Sequence, residues 1–489
     1  MSNAASSAAR SRRRFLQGAL GLPALGLAAR RAQAKQPRER LPSIVLLLVD
    51  DWGWADLGAY GSTLYETPHL DKIAAEGVRF TNAYASCPVC SPSRAALMTG
   101  KVPPRLGITD WIPGRKQHPF SPVIMPEDSD HLPLEETTIA EVLKPLGYAT
   151  ASIGKWHLGG EGFGPVQQGF DVNVAGTFRG SPPSYFAPYK AELPGIANPP
   201  DGEFLTERLC QEAEKFLEEN RGKPFFLYLS EFAVHTPLQA ERDVIEKYAA
   251  KGSLLDHQHN ATYAAMVESV DDTVGRVRAK LATLGLEKDT VIFITSDNGG
   301  LLYEGKSRTP VTSNRPLRAG KGHLYEGGVR VPLIVFDPRA KARVEDDPVA
   351  GIDILPTIAA YAGVSVPPGI DGVSLYDLVR NAKRTAPRAL YWHYPHYSNQ
   401  GGYPGGSIRE GDWKLIENYE NGALELYNLR ADIREEKNLA FEQAAKAREL
   451  NAKLIAWRER VGAKMPAKNP GYDPTKADQE LTGSRRENQ

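Results

Sequence analysis

Two acidic pairs stand where apolar runs of the sequence end. Asp50 and Asp51 follow the run at residues 43–49, and Asp297 and Asn298 follow a second run. Ionised carboxylates are costly at such places unless they are paired or bind a metal. One pair alone is equally compatible with aspartates that cap the next turn. Together they offer three carboxylates and an amide oxygen, a hard-oxygen set that suits Ca²⁺ or Mg²⁺ better than Zn²⁺.

A cysteine followed by an arginine one helical turn later is the second candidate. Cys90 is followed by Pro92, which suits the first turn of a helix, and Arg94 comes two residues after Pro92. We therefore expect Cys90 at a helix N-terminus, where the dipole favours anions, with Arg94 able to neutralise charge at position 90. The residues alone leave two alternatives open: a buried structural cysteine, or a redox pair with Cys87.

Four basic residues complete the candidate set. Lys155 and His157 come just after a third apolar run, His235 follows a fourth, and Lys321 is flanked by glycines. Taken singly, each is as easily a structural histidine or a solvated lysine as a catalytic group. Lys155, His157 and His235 share a position after apolar runs, and Lys155 and Lys321 lie in glycine-flanked segments where a long surface helix is not expected.

The elements that must position these residues follow from the pattern of the chain. The apolar runs alternate with segments of helical spacing at residues 138–146, 203–219 and 262–284. This predicts an α/β fold with a mostly parallel sheet, in which ligands bind beyond the carboxyl ends of the strands. After residue 370 shorter aromatic-rich stretches predict a small antiparallel sheet, followed by a helix at residues 441–461.

The motifs, taken in order from about residue 43 to residue 337, resemble those of the type I, formylglycine-dependent sulfatases. The matching segments are Asp50-Asp51, Cys90-x-Pro92-x-Arg94, Lys155-x-His157, His235-x-Pro237, Asp297-Asn298 and Lys321. The resemblance implies the alkaline phosphatase-like fold, a large sheet sandwiched by helices. With it go a catalytic domain at residues 35–370 and a C-terminal subdomain with an extended tail at residues 371–489.

The resemblance also implies a modification and a mechanism. Cys90 is converted by a formylglycine-generating enzyme to formylglycine (3-oxoalanine), whose hydrate is a geminal diol. One hydroxyl, polarised by Ca²⁺, attacks sulfur. A cysteine could not complete the cycle, since its sulfated adduct has no second hydroxyl from which to expel sulfate. Residue 90 then joins Asp50, Asp51, Asp297 and Asn298 as a metal ligand.

The remaining roles implied by the resemblance belong to the basic residues. Arg94, Lys155 and Lys321 stabilise charge on the sulfate and the diol. His235, with Lys321, protonates the departing oxygen. His157 accepts the proton of the second hydroxyl.

Two other functions compete with a sulfatase. One is a phosphodiester or phosphonate monoester hydrolase of the same superfamily, which shares the fold. The other is an inactive protein that binds a sulfated ligand. The intact Cys90 motif and oxygen-only metal set favour the sulfatase. Residues 105–114 resemble carbohydrate sulfatases of environmental bacteria, which favours a sulfated saccharide as the substrate.

Further residues are candidate sugar or sulfate contacts. Aromatic faces stack on sugars and arginines bind anions, whereas core packing is the alternative for most aromatics. These candidates are Asp110, Trp111, Arg115, Arg179 and the aromatic cluster at residues 392–397. No role is assigned to His323, Cys87 or Cys210.

Composition and the N-terminal segment indicate the class of partner and the cellular location of the protein. Lys plus Arg and Asp plus Glu number 59 each, which argues against nucleic acid and membrane surfaces as partners. Three cysteines among 489 residues exclude a disulfide scaffold. Residues 1–34 carry paired arginines, an apolar stretch and a final Ala-Gln-Ala. We read them as a twin-arginine signal peptide that directs a periplasmic protein.

Overall fold

The computed structural model describes residues 41–251, 260–303 and 310–476. The predicted signal segment at residues 1–34 lies outside this part of the chain. Within the described residues no helix is both long and apolar enough to cross a membrane.

A nine-stranded sheet forms the centre of the fold, in the order β10-β2-β8-β7-β1-β6-β4-β5 with β9 beside β2. Its strands are β1 Ser43–Val49, β2 Val78–Tyr84, β4 Ala149–Gly154, β5 Val172–Val174, β6 Phe225–Ser230, β7 Thr290–Ser296, β8 Arg330–Phe336, β9 Arg343–Glu345 and β10 Val349–Ala350. Strand β8 pairs antiparallel with both β7 and β2, and the other pairings are parallel. A run that is apolar on both faces predicts burial but not direction, so the sequence could not reveal the reversed strand.

Helices cover both faces of this sheet. They are α1 Pro68–Glu76, α2 Cys90–Thr99, α3 Pro103–Leu106, α4 Ile139–Leu143, α5 Leu205–Glu219, α6 Arg242–Ala250, α7 Ala261–Thr283, α8 Glu326–Val329, α9 Ile354–Ala362 and α10 Tyr376–Asn381. One apolar cluster packs α5 and α7 on one face, and a second packs α4 and α9 on the other. Because each face is covered, the central strands β1, β6 and β7 are buried along their whole length.

The C-terminal part of the chain forms a second, antiparallel sheet of four strands. Its strands are β11 Ala389–Tyr394, β12 Gly405–Glu410, β13 Trp413–Asn418 and β14 Leu424–Asn428, and helix α11 Ala444–Val461 packs on it. A short pair joins β3 Val123–Ile124 to β15 Ala467–Lys468 in the tail. The predicted fold class, a mostly parallel sheet with helices and a small antiparallel sheet, is confirmed. The domain boundary at residues 370 and 371 stays a prediction.

A third apolar cluster joins the two sheets. It contains Tyr84 from β2 and Ala96 from α2, packed with Trp392 from β11 and Ile408 from β12. Helix α2, which begins at Cys90, therefore rests on both parts of the chain.

Candidate active site

The two acidic pairs lie side by side at the carboxyl ends of neighbouring parallel strands. Strand β1 pairs with β7 so that Val49 stands opposite Ser296. The next residues of each strand, Asp50 and Asp51 on one side and Asp297 on the other, bring carboxylate oxygens within 4.8 Å of one another. The Asp51 amide donates to Asp297 Oδ1 at 3.2 Å. Asn298 Nδ2 donates to Asp51 Oδ1 at 2.8 Å, so the structure brings together Asp50, Asp51, Asp297 and Asn298, four of the five residues predicted as metal ligands, the fifth being Cys90.

The donor set fits a hard cation. Asp50 Oδ1 and Asn298 Oδ1 are buried and lack a hydrogen-bond partner among the described residues. A buried acceptor without a hydrogen-bond partner is rare. A cation that binds oxygen ligands would contact both of these atoms together with the other carboxylates. Burial, opposed by Lys155, raises the pKa of Asp50 to about 8. Without a cation, this carboxylate is therefore poorly compensated.

Arg94 links the ends of three strands beneath the acidic residues. Its Nε donates to Asp297 Oδ2 at 2.7 Å, and its Nη1 donates to Ser230 Oγ at 2.6 Å and to the Lys155 carbonyl at 3.1 Å. Its Nη2 lies 3.6 Å from Asp50 Oδ1. The guanidinium is fully buried; burial by itself lowers its pKa, but Asp297 outweighs that effect and leaves the pKa of Arg94 above its ordinary value. Its planar fork thus fixes the relative positions of the strand ends.

Cys90 is the first residue of α2, as predicted, and is almost completely buried. Burial raises the pKa of its thiol, although Lys155 and Lys321 oppose that effect. The three cysteines of the chain, Cys87, Cys90 and Cys210, are free and buried. An unmodified Cys90 is therefore a protonated thiol near neutral pH and a weak nucleophile.

Two buried lysines face the carboxylates. Lys155 Nζ donates to Asp50 Oδ2 at 2.7 Å. Lys321 Nζ lies 2.7 Å from Asp51 Oδ1 and 2.8 Å from Oδ2. Asp51 offsets the burial of Lys321 and raises its pKa, and Lys321 and His235 lower the pKa of Asp51 in spite of its burial. With Arg94, the site holds three cations against three carboxylates.

His157 is held in one tautomer. Its Nε2 lies 2.5 Å from the Ile112 carbonyl, and since a carbonyl only accepts, Nε2 carries the hydrogen. Its Nδ1 is buried without a hydrogen-bond partner in the described chain. Burial and Lys155 lower its pKa well below the usual range. Ile112 in turn donates to Ser91 Oγ at 3.0 Å, which places His157 close to the start of α2.

His235 is the most exposed of the six predicted catalytic side chains, at 18%. Its Nδ1 donates to the Thr236 carbonyl at 2.7 Å, and its Nε2 lies 3.7 Å from Asp51 Oδ2. Burial and Lys321 lower its pKa to about 3. The imidazole is therefore neutral in the ligand-free protein, with the lone pair of Nε2 directed to the acidic cluster.

The other candidate contacts divide into two groups. The aromatic cluster at residues 392–397 mostly packs inside: Trp392 donates to the Ala85 carbonyl, and His393 lies between Tyr419 and Lys464. Burial raises the pKa of Asp110 to about 6, and Asp110 accepts from the Trp111 and Arg115 amides and from Tyr394. These residues hold a loop against β11, which is the packing role.

The second group consists of Arg179, Arg115 and His323. Arg179 stacks on Phe178, which is 51% exposed, in a segment whose Thr177 carbonyl accepts from the His157 amide. Arg115 donates to the Ser398 carbonyl at 3.0 Å. His323 directs Nδ1 to the Lys321 carbonyl at 3.2 Å.

Sequence reasoning missed two sets of residues around the site. Ser230, a partner of Arg94, is the last residue of strand β6, and the fully buried Glu231 follows it directly. Their position after an apolar run is the same signal that identified Asp50 and Asp297. The second set, Glu326 with Lys414 and Glu435, is widely separated along the chain and gives no local signal.

Comparison with known proteins identifies the family. The Sulfatase family model matches residues 42–364, and the model named N-sulphoglucosamine sulphohydrolase, C-terminal, matches residues 319–460. The chain is 35% identical over 440 residues to steryl-sulfatase of Mus musculus (73% of this chain, 68% of that protein). It is 37% identical over 380 residues to N-acetylgalactosamine-6-sulfatase of Rattus norvegicus (72% and 67%). The crystal structure of Ps i-CgsB in complex with k-i-k-neocarrahexaose superposes with a TM-score of 0.72 at 28% identity, covering 89% of this chain and 96% of that one. The chain is an enzyme, a sulfuric ester hydrolase, and it belongs to the sulfatase family of the alkaline phosphatase-like superfamily.

Proposed function

We propose that this sulfatase removes sulfate from a sulfated carbohydrate, with a formylglycine formed from Cys90 and a Ca²⁺ ion held by Asp50, Asp51, Asp297 and Asn298. The observation that carries the proposal is the buried cluster itself. Three carboxylates lie within 4.8 Å of one another, two oxygens of the cluster (Asp50 Oδ1 and Asn298 Oδ1) lack a hydrogen-bond partner among the described residues, and Arg94 links the cluster to the helix that begins at Cys90.

The charge balance supports this use of the cluster. Arg94, Lys155 and Lys321 neutralise the three carboxylates. A bound divalent cation therefore leaves the buried site with a net positive charge, which attracts a sulfate monoester anion. When bound, the cation supplies Lewis-acid polarisation of an oxygen ligand.

Modification of Cys90 supplies what the thiol lacks. Since burial raises its pKa, the thiol is protonated where a nucleophile is needed. Formylglycine supplies a hydroxyl nucleophile and a second hydroxyl whose loss of a proton releases sulfate. The Nδ1 of His157, the unprotonated and unpartnered nitrogen, is suited to accept that proton.

Two groups near Asp51, Lys321 and His235, are suited to assist departure of the leaving oxygen. Lys321 remains a cation in the folded protein, and His235 brings Nε2 within 3.7 Å of Asp51 Oδ2. Lys321 stabilises the negative charge that develops on the leaving oxygen, and its ammonium is the proton source of the pair, since His235 Nε2 carries no proton in the ligand-free protein. Both groups contact Asp51, whereas His157 bonds to the Ile112 carbonyl, so the proposed acid and base are different side chains.

A saccharide substrate is supported by the relatives and by the surface beside His157. The named relatives include an N-acetylgalactosamine-6-sulfatase and a structure containing neocarrahexaose. Phe178 offers an exposed ring next to residues that contact His157, and Arg179 adds a cation. A sugar ring can stack on such a face while the arginine meets a further anionic group.

The modification is tested by the mass of the peptide that contains residue 90. The protein is produced with a formylglycine-generating enzyme and assayed for sulfate release from an aryl sulfate and sulfated oligosaccharides. We expect the aldehyde mass, with activity lost in Cys90→Ala and retained in Cys87→Ala, the matched control for a buried cysteine three residues earlier. A free thiol at residue 90 in active protein, or aldehyde without any sulfate release, would refute the proposal.

The rival activities are tested in the same preparation. A phosphonate or phosphodiester hydrolase would turn over the matching nitrophenyl esters faster than the sulfates, and a binding protein would retain sulfated saccharide without releasing sulfate.

We also propose that the enzyme is exported to the periplasm through the twin-arginine segment at residues 1–34. Support comes from the paired Arg12 and Arg13 and the Ala-Gln-Ala at residues 32–34. Fractionation should find the enzyme in the periplasm, and Arg12→Lys with Arg13→Lys should retain it in the cytoplasm. Equal export of both forms would contradict this route.

A further inference from the structure

Lys321 belongs to a tightly closed loop at residues 318–328. The amide of Gly327 donates to the Arg318 carbonyl at 2.8 Å, which joins the two ends of the loop. Between them, the amide of Lys321 donates to the Gly300 carbonyl at 3.1 Å, and that of Gly322 to the Pro88 carbonyl at 2.8 Å. A Cβ on Gly327 would lie 2.2 Å from the Ala319 carbonyl oxygen, and one on Gly328 would lie 2.0 Å from that of His323. Because the loop is packed this closely, a shift of its ends displaces Lys321.

The far end of the loop is anchored by Glu326, whose side chain is fully buried. Its Oε1 accepts from Lys414 Nζ of strand β13 at 2.9 Å. Its Oε2 accepts from Arg330 Nε and from the Tyr84 hydroxyl, each at 2.7 Å. A single carboxylate thus connects the loop to the small sheet and to strands β2 and β8.

Glu435 of the C-terminal part contacts both ends of the loop. Its carbonyl accepts from Arg318 Nη1 at 2.7 Å, and its Oε2 accepts from the Glu326 amide at 2.7 Å. Lys414 Nζ lies 3.1 Å from Glu435 Oε1, so the same lysine serves both carboxylates. Glu435 is fully buried. One residue therefore fixes the separation between the beginning and the end of the loop.

Buried ions of this kind are an expensive way to stabilise a fold, because apolar residues of similar volume often serve as well. What an ionic network offers is directional, short contacts that define one geometry. Here the geometry defined is that of the loop that carries Lys321 to Asp51, where positions must hold to a fraction of an ångström.

We propose that Glu435 and Lys414 are positioning residues for Lys321, through which the C-terminal sheet sets the place of Lys321 Nζ beside the leaving oxygen. This inference rests on the proposed function, in which Lys321 acts on the leaving group. Loss of the network then lowers kcat/KM more for substrates with basic leaving groups than for substrates with acidic ones, because a basic leaving group needs stabilisation and a proton from Lys321.

The experiment measures kcat/KM for a series of aryl sulfates from 4-nitrophenyl to phenyl sulfate. The quantity compared is the ratio of the phenyl to the 4-nitrophenyl rate, which does not depend on how much of each preparation is folded or modified. A purely structural role would lower both rates equally and leave the ratio unchanged. Lys321→Ala sets the full effect, which we expect to be about a hundredfold fall in the ratio.

We expect Glu435→Ala to lower this ratio about tenfold, and Lys414→Met, which keeps volume without charge, to lower it in the same direction. Glu435→Gln retains an acceptor for the Glu326 amide and should recover most of the ratio. The matched control is Asp337→Asn, since Asp337 is also a buried carboxylate that accepts from an arginine, Arg380, and from a tyrosine. It follows the opposite end of β8 and should leave the ratio unchanged.

The outcomes separate the two proposals. An active wild-type enzyme with an unchanged ratio in both Glu435→Ala and Lys414→Met overturns the positioning role alone. A fall in Asp337→Asn equal to that in Glu435→Ala also overturns it, since the effect would then belong to any buried ion. A wild-type protein with aldehyde at residue 90 that hydrolyses no aryl sulfate or sulfated saccharide overturns the proposed function and this inference together.

Discussion

The fully buried carboxyl of Glu231 should make the stability of this enzyme depend on pH. Glu231 directly follows strand β6, and neither of its carboxyl oxygens has a hydrogen-bond partner among the described residues. Burial raises its pKa to about 8, from an ordinary value of 4.5. We predict that Glu231→Gln stabilises the protein at neutral and alkaline pH and has little effect near pH 5.

The magnitude follows from the difference of about 3.5 between these two pKa values. Between pH 4.5 and 8 the native chain binds one proton more than the unfolded chain, so the free energy of unfolding falls as the pH rises. Each pH unit costs about 1.4 kcal/mol, which gives about 3 kcal/mol at pH 7 and about 5 kcal/mol above pH 8. Below the unfolded pKa both states are protonated and the penalty is absent.

The assay is urea unfolding of the wild type and Glu231→Gln at several pH values from 5 to 9. The difference in free energy of unfolding should grow with pH over this window and then level off. Glu219→Gln, at the exposed end of helix α5, is the control, and its difference from the wild type should stay flat. The amide of Gln does not titrate in this range, so any pH dependence of the difference in free energy of unfolding comes from the Glu231 carboxyl. A difference that does not change between pH 5 and 9 would refute the reasoning.

Three further predictions concern the site. Adding Ca²⁺ to chelator-treated protein should raise its melting temperature, by the equivalent of about 2.7 kcal/mol at a hundred times Kd, because three carboxylates repel one another within 4.8 Å. Thermal scans with and without Ca²⁺ measure this, Asp297→Asn should reduce the shift, and a calcium-independent melting temperature would contradict it. Arg94→Lys should lower kcat/KM for an aryl sulfate about a hundredfold, since a lysine cannot reach both Asp297 and Ser230; activity within twofold of wild type at equal aldehyde content would contradict it. Phe178→Ala should lower kcat/KM for a sulfated oligosaccharide about fivefold and leave the aryl sulfate rate unchanged; equal falls for both substrates would exclude a stacking role.

The metal and lysine candidates were accessible from the sequence because they share one physical signature. Asp50, Asp297 and Lys155 each stand at the end of a run that is apolar on both faces, and such runs become central strands of a covered sheet. Parallel strands end at the same edge, so the runs also predicted that these side chains meet. Glu231 meets the same criterion but stands alone, whereas the metal candidates come in pairs.

The alternation of strands and helices was equally readable, whereas strand order was not. The helix at residues 203–219 and the terminal helix at residues 441–461 were predicted within three residues of their ends, Leu205–Glu219 and Ala444–Val461. The reversal of β8 and its place between β2 and β7 depend on pairings across the whole chain. Periodicity reports which residues are buried, and it carries no information on which neighbour buries them.

The contacts that connect the two sheets show why the remaining part of the site could not be derived. Glu326 and Glu435 are separated by 109 positions, and Lys414 lies on a third segment. In the sequence each is an ordinary charged residue, and charged residues are usually solvated. Only when the small sheet packs through Trp392 and Ile408 against helix α2 do the three become buried together. The buried ionic network is thus a consequence of tertiary packing. The packing that buries these charges also brings the C-terminal sheet into contact with the loop that holds Lys321.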